Sequence, residues 1–151
     1  MASGLYCLPM ENNLEQTANF NIDFADASTS NRFKCMLTTA SYTPNYSTHT
    51  LFSDITNEVT SGGATGYVAG GTGMSSITFA TAAGTITWDA ADVEWTSSTI
   101  TGAAFAVVYD DTLTNKPLIC CIDFGGAFST TSGTFKITWN ASGIFTLDLT
   151  P

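Results

Sequence analysis

The chain has 151 residues and a net charge of −9, with thirteen Asp and Glu residues against four Lys and Arg. This length is typical of a single domain. Proteins that bind phosphate backbones need more cations than Arg32, Lys34, Lys116 and Lys136, which are also scattered along the sequence. The composition therefore argues against nucleic-acid binding and favours solubility, or docking on a basic surface of a protein partner.

Membrane and secretory segments are not apparent in the sequence. No run of about 18 apolar residues occurs, and the start MASGLYCLPMENN has neither the basic beginning nor the apolar centre of a secretory signal. Cys120 and Cys121 are neighbours whose side chains point to opposite faces of a strand. With Cys7 and Cys35 they predict reduced, strand-packed thiols rather than a disulfide framework. We expect no membrane partner.

Residues 1–31 are predicted to form an irregular N-terminal arm with a short helix, and residues 32–151 a β-sandwich domain. The helix is expected within NNLEQTANF, where Asn12 and Glu15 could act as a capping pair. A short isolated helix is marginal in water. The arm therefore packs either on its own sheet or on a neighbouring subunit, and the sequence leaves both open.

The first strand is expected at residues 32–39, with Phe33, Cys35 and Leu37 on one face and more polar positions on the other. A Ser/Thr/Asn-rich loop follows. It contains His49, which we expect to be solvated or bonded within a turn. The segment LFSDITNEV predicts one helical turn that folds Leu51, Phe52 and Ile55 back on the core.

Six glycines lie close together: Gly62, Gly63, Gly66, Gly70, Gly71 and Gly73. A phosphate-binding loop needs such glycines between a strand and a helix, usually followed by Lys and Ser or Thr, and that context is missing. The glycines predict a mobile loop or an interface loop.

SSITFA and GTITW predict a β-hairpin around TAAG. Three carboxylates follow in WDAADVEW, namely Asp89, Asp92 and Glu94. They suggest calcium binding or glycoside hydrolysis, but the spacing matches no EF-hand loop and the sequence shows no sugar-binding groove. Solvated turn carboxylates are the preferred interpretation, and the same holds for Asp110 and Asp111.

The last third predicts four strands with a period near 2. One face of each strand is expected to be buried, and these faces comprise Phe105, Val107 and Tyr109; Leu118, Cys120, Ile122 and Phe124; Phe135, Ile137 and Trp139; and Phe145, Leu147 and Leu149. The whole chain reads as about eight short strands, which is the pattern of an antiparallel β-sandwich or small barrel. The predicted fold class is all-β, with at most short helices.

The sequence identifies no catalytic, cofactor-binding or metal-binding residues. A Ser-His-Asp or Cys-His site would have to use His49, the one histidine, and no GxSxG motif occurs. We therefore expect that the chain is not an enzyme and that it binds no cofactor and no metal.

Four segments carry a resemblance to a known family when they are read in order. They are MLTTASYTPNYSTHTLFSDITNEV, ATGYVAGG, WDAADVEWTSSTITGAAFAVVYDDTLTNKPLICCIDFGG and GTFKITWNASGIFTL. Between Phe33 and Leu149 the chain resembles a family of small virion structural proteins of tailed bacteriophages, encoded among head and tail genes. The most specific markers are AVVYDD…KPLICCIDFGG and TWNASGIFTL.

The resemblance implies a non-enzymatic virion protein assembled in the host cytoplasm. We expect a cement or decoration subunit that binds the outer capsid surface and stabilises the head, with the major capsid protein or copies of itself as partners, as a homo-oligomer on the particle. One alternative is a tail or neck component. Another is a host-surface or glycan-binding module that uses exposed aromatics such as Tyr42, Tyr46 and Trp95.

Overall fold

The computed structural model describes residues 2–26, 28–29, 31–60 and 65–150. Strands make up 41% of the chain, which confirms the all-β class. In chain order the elements are β1 (Gly4–Leu5), α1 (Cys7–Leu14), β2 (Phe33–Thr39), a 3-10 helix (Phe52–Asp54), β3 (Thr72–Gly73), β4 (Thr78–Ala82), β5 (Thr85–Asp89), β6 (Val93–Ser98), β7 (Ala103–Asp110), β8 (Leu118–Phe128), β9 (Gly133–Ile137) and β10 (Phe145–Asp148).

The strands form a sandwich of two layers in which neighbours pair antiparallel. The first layer has the order β1-β8-β7-β2-β3, and the second contains the sheets β10-β5-β4 and β6-β9. In the second layer Phe145 lies opposite Trp88, and Ile137 lies opposite Val93. The two short sheets therefore belong to one antiparallel ribbon that is interrupted at residues 90–92 and 138–144.

The main core lies between the two layers and is centred on Trp88, which is fully buried. Its ring centroid lies 5.1 Å from that of Phe33 in the first layer and 5.4 Å from that of Phe145 in the second. Trp88 Nε1 donates a hydrogen bond to the carbonyl oxygen of Phe24 at 3.2 Å. The indole is thus packed and hydrogen-bonded, as a buried Trp requires.

The outer face of the first layer is buried as well. A second apolar cluster there contains Tyr6, Met36, Val107 and Tyr109, and Phe52 and Ile55 pack against it. The 3-10 helix thus confirms the helical turn expected to fold back on the sheet. The expected polar face of β2 is wrong, because Met36 and Thr38 are buried. The cause is the loop after β2, which covers this face.

The N-terminal segment folds onto the sandwich. Tyr6 is fully buried, and Ile22 and Phe24 belong to the main core. The helix begins at Cys7, earlier than predicted, and it includes Pro9, which is tolerated in a first turn because the missing N–H has no intrahelical partner there. The positive φ of 59° at Gln16 follows its end.

The hairpin of β4 and β5 confirms the sequence prediction. Ala82 pairs with Thr85, so the connection is two residues, Ala83 and Gly84. Their φ angles are 48° and 81°. Positive φ at both central residues is the feature of the type I′ turn that suits the twist of a two-residue hairpin.

Two of the predicted inward faces in the last third are wrong in part. Leu118 lies in the second cluster, whereas Cys120 lies in the main core, because the ladder between β7 and β8 shifts register at Val108 and Tyr109. Leu147 and Leu149 are exposed. They lie toward the hairpin end of the ribbon, beyond the reach of the first layer.

The described part of the glycine-rich segment is held against the sheet. β3 pairs with β2, the Gly70 amide donates to Glu58 at 2.6 Å, and the Gly70 carbonyl accepts from the Tyr109 hydroxyl at 2.8 Å. These contacts differ from the predicted mobile loop, while the alternative of an interface loop stays a prediction. Gly62 and Gly63 lie outside the described residues.

Candidate functional site

The sandwich is open along one side. In the first layer β1 covers the edge of β8 only at Cys120 and Cys121, and in the second layer β9 pairs only with β6, among the described residues. Between these edges lies a groove of about 450 Å³, which we call the seam. Ile122, Phe124 and residues 128–130 line one wall, and residues 134–138 line the other.

The β8 wall of the seam is irregular. Opposite β7, the ladder passes from Asp123 paired with Phe105 to Phe128 paired with Ala103, so several extra residues lie on β8. Gly125 has a φ of 73°, and its amide donates to the Asp123 carboxylate at 2.8 Å. A glycine adopts this φ readily. The sequence DFGG thus encodes a bulge, and bulges oppose strand pairing along an edge.

The β9 wall is regular. Residues 134–138 line the seam consecutively. Since alternate residues of a strand point to opposite faces, such a run indicates that the seam follows the edge of the strand. Phe135 and Ile137 point inward and are buried. The irregularity of this ladder lies in β6, where Ser97 has a φ of 50°.

Aromatic side chains form the floor of the seam. The ring centroid of Phe124 lies 6.0 Å from that of Phe135 and 6.3 Å from that of Phe128. Phe128 is 53% exposed. A smaller cavity of about 170 Å³, between β1 and Phe145, shares Ile122 with the seam. The apolar surface therefore continues along this side of the molecule.

The carboxylates near the seam have structural partners. Asp92 lies 3.0 Å from Lys136 Nζ and also accepts from the backbone amide of Trp139 at 3.1 Å. These contacts hold the pKa of Asp92 below its ordinary value, with the hydrogen bond from Lys136 contributing most. Asp89 accepts from the next amide in the chain, and Glu94 lies opposite Lys136 in the ladder. Asp92 is nevertheless exposed and lies between β5 and β6, which agrees with the preferred interpretation as a solvated turn carboxylate.

For Asp110 and Asp111 the interpretation as solvated turn carboxylates is wrong. Asp110 is fully buried and lies 3.1 Å from Arg32 Nη1. Asp111 lies 2.7 Å from Lys34 Nζ and 2.7 Å from Lys116 Nζ. Burial raises the pKa of Asp111, but the two ammonium groups outweigh it and the net shift is downward. Arg32 and Lys34 thus meet Lys116, which is distant from them in sequence, at the end of β7.

His49 is bonded within a turn, which is one of the two environments that the sequence predicted for it. Its Nδ1 lies 3.4 Å from the Asn45 amide nitrogen and 3.0 Å from the Tyr42 hydroxyl oxygen. An amide only donates, so Nδ1 is the acceptor and the Tyr42 hydroxyl donates to it. The Tyr42 oxygen in turn lies 2.7 Å from the Tyr6 hydroxyl. The imidazole therefore ends a buried chain of hydroxyl groups.

The aromatic residues proposed for glycan reading are not displayed on the surface. Tyr42 is 2% exposed and Trp95 is 5% exposed. Tyr46 is half-buried, and its hydroxyl donates to the Ala2 carbonyl at 2.6 Å. Phe124 and Phe128 instead form an aromatic pair at the surface that the sequence pattern did not predict. The two glycines between them were the available signal, since they end regular strand pairing.

The described residues contain neither a metal-ligand cluster nor a helix that could span a membrane. No group of three or more His, Cys, Asp or Glu side chains there could hold a metal ion. Neither α1 nor the 3-10 helix in that part of the chain is long enough to cross a membrane.

No protein-family model, curated protein or solved structure matches this chain.

Proposed function

We propose that the chain is a non-enzymatic structural subunit of a bacteriophage particle, a cement or decoration protein that binds the outer surface of the capsid and stabilises the head. The observation that carries the proposal is the seam. It presents apolar side chains beside the outer edge of β9, which has no strand partner among the described residues, on an otherwise self-sufficient sandwich. A regular unpaired edge is a template for another chain.

The chemistry of the charged groups supports a structural role. His49 accepts from Tyr42, and Asp92, Asp110 and Asp111 neutralise cations of the fold. All four Lys and Arg side chains lie in ion pairs, so the excess charge of the chain is carboxylate. Such a surface favours docking on basic patches of a shell.

Many copies of the chain on one shell would strengthen a contact that is modest for each single copy. A stable protein contact buries on the order of 1,600 Å², and many copies on a symmetric lattice add avidity. Closed oligomers at symmetry axes are the common outcome for such subunits. The sandwich supplies a rigid body, and the seam supplies the contact.

The copy number of the chain in purified particles tests the proposal. We expect on the order of hundreds of copies per particle, in the range set by the symmetry of the shell, with density on the outer face of a reconstruction. A handful of copies at one vertex would instead place the chain in the tail or neck. Absence from the particle would overturn the structural assignment altogether.

A further inference from the structure

We propose that the seam takes an extended segment of a partner protein that adds as a strand to the free edge of β9, with apolar residues at alternate positions and Lys or Arg at its flanks. The inference deepens the proposed function and rests on it for the source of the segment, a capsid protein. It names the chemistry of that contact, which the proposed function leaves open.

The backbone of β9 sets the shape of the occupant. β9 pairs with β6 on one side, and its other edge borders the seam, within the part of the chain that the structure describes. An added strand satisfies the free amides and carbonyls of such an edge. The opposite wall is unsuitable, because the bulge at Gly125 breaks the regular edge of β8. A helix would leave the edge of β9 unpaired, so an extended segment fits best.

The side chains of the seam set the sequence pattern. A strand laid along β9 points every second residue toward the floor formed by Phe124, Phe128 and Phe135. Those inward positions would be apolar. The remaining positions face solvent beside Thr134, Lys136 and Thr138, and polar residues suit them.

Charge favours a basic partner over a second copy. Each copy carries a net charge of −9, and every cation is already in an ion pair within its own chain. Next to the seam, Lys136 is held by Asp92 and lies opposite Glu94. Two carboxylates and one ammonium group therefore border the β9 wall. Lys or Arg residues flanking the incoming strand would complement them.

A synthetic peptide tests this recognition with the intact protein. The probe has five residues, Val-Thr-Val-Thr-Val, matching the five residues of β9, flanked by two Lys at each end. One control replaces the central Val by Pro, which cannot continue strand pairing. A second control replaces the four Lys by Asp. We expect saturable binding of the Lys-flanked probe, slower hydrogen exchange at residues 133–138, and weakening by salt.

Two variants localise the binding. Phe128→Ser removes an exposed side chain of the floor and should weaken probe binding about tenfold, since burying a phenyl ring contributes roughly that factor. Val68→Ser is the control, because Val68 is also exposed but lies outside the seam. It should bind like the parent protein. The unfolding midpoint of each variant shows whether the fold is intact.

Several outcomes would overturn the inference. They are no binding at millimolar probe, equal binding of the Pro-containing peptide, or unchanged binding by folded Phe128→Ser. A dimer in ultracentrifugation that Phe128→Ser dissociates would assign the seam to a second copy. If particles carry the chain at high copy number but the probe does not bind, the inference fails and the proposed function stands. If the probe binds but particles lack the chain, the proposed function fails.

Discussion

Arg32 and Asp110 form a buried ion pair that joins the start of β2 to the end of β7 in the first layer. The Nη1 atom of Arg32 lies 3.1 Å from Oδ2 of Asp110, and the Asp110 side chain is fully buried. The second carboxylate oxygen accepts from the Thr112 amide at 2.8 Å and the Thr112 hydroxyl at 2.6 Å. Both oxygens of Asp110 are therefore satisfied, which is the condition under which a buried carboxylate is tolerated.

Asp110→Ala should lower the free energy of unfolding by about 1–3 kcal/mol, because it orphans the donors of Thr112 and removes one of the two carboxylates that pair with Arg32, while Asp26 stays bonded to Arg32 Nε. Urea unfolding at neutral pH measures the loss. Asp148→Ala is the matched control. Asp148 is exposed and accepts only locally from Thr150, so we expect a loss below about 1 kcal/mol. Equal losses for the two variants would show that the ion pair at β7 contributes no special stability.

The tyrosines should resist ionisation while the protein is folded. Burial is the main cause that raises the pKa of all five, and it raises that of Tyr42 to about 12. A folded pKa above the unfolded value contributes stability that is complete below about pH 10 and lost as the pH rises through the folded pKa. Stability should therefore fall above about pH 10.

Tyrosinate absorbance and circular dichroism, recorded together against pH, measure this coupling. We expect little tyrosinate in the folded protein just above about pH 10, followed by a joint change of both signals as the chain unfolds. Free tyrosine amide in the same buffers is the control. If absorbance rises around the ordinary tyrosine pKa while circular dichroism is unchanged, the result would contradict the buried hydrogen-bonded chain of Tyr6, Tyr42 and His49.

One cysteine of the four should react in the native protein. Cys7 is exposed, whereas Cys35, Cys120 and Cys121 are buried. Burial raises the pKa of all three buried thiols, that of Cys121 to about 12, and the thiolate is the reactive form. A maleimide should label one site per chain under native conditions and four in denaturant. Cys7→Ser should remove the native label, and labelling of any site in folded Cys7→Ser would contradict the packing.

The alternation of apolar and polar residues predicted where the strands lie, but it did not predict which of their faces are buried. The period of 2 located β2, β7 and β8, and the small residues Ala83 and Gly84 marked the hairpin turn. The same period cannot tell which faces are covered from far away in sequence. Met36 is buried because the following loop folds over it, and Leu147 is exposed because its end of the ribbon extends past the first layer.

The seam depends on strand order, which the pattern of single strands does not contain. Nothing local to β9 indicates that, within residues 2–26, 28–29, 31–60 and 65–150, only β6 pairs with it. Phe124 and Phe128 become neighbours across Gly125 because that glycine takes a positive φ. The ion-pair cluster around Asp111 has the same origin, since Lys34 and Lys116 meet there through the pairing of β2 with β7.

Gly71→Ala and Gly102→Ala together test how tightly the glycine-rich segment is held. Both glycines have positive φ, 80° and 69°, so alanine costs each about 1–2 kcal/mol of backbone strain. At Gly71 an added Cβ would also overlap the carbonyl oxygen of Cys35, whereas at Gly102 no atom lies within 4 Å. Overpacking of this kind costs a further 1–3 kcal/mol or so.

We therefore expect Gly71→Ala to lose about 1–3 kcal/mol more than Gly102→Ala in urea unfolding. Because the strain from φ is common to both variants, the difference isolates the close approach of this segment to β2. Loss of β3 from its partner should appear as faster hydrogen exchange at Cys35, whose backbone faces β3, and not at Lys34, whose backbone faces β7. Equal losses in the two variants would return the segment to the mobile loop that its composition predicts.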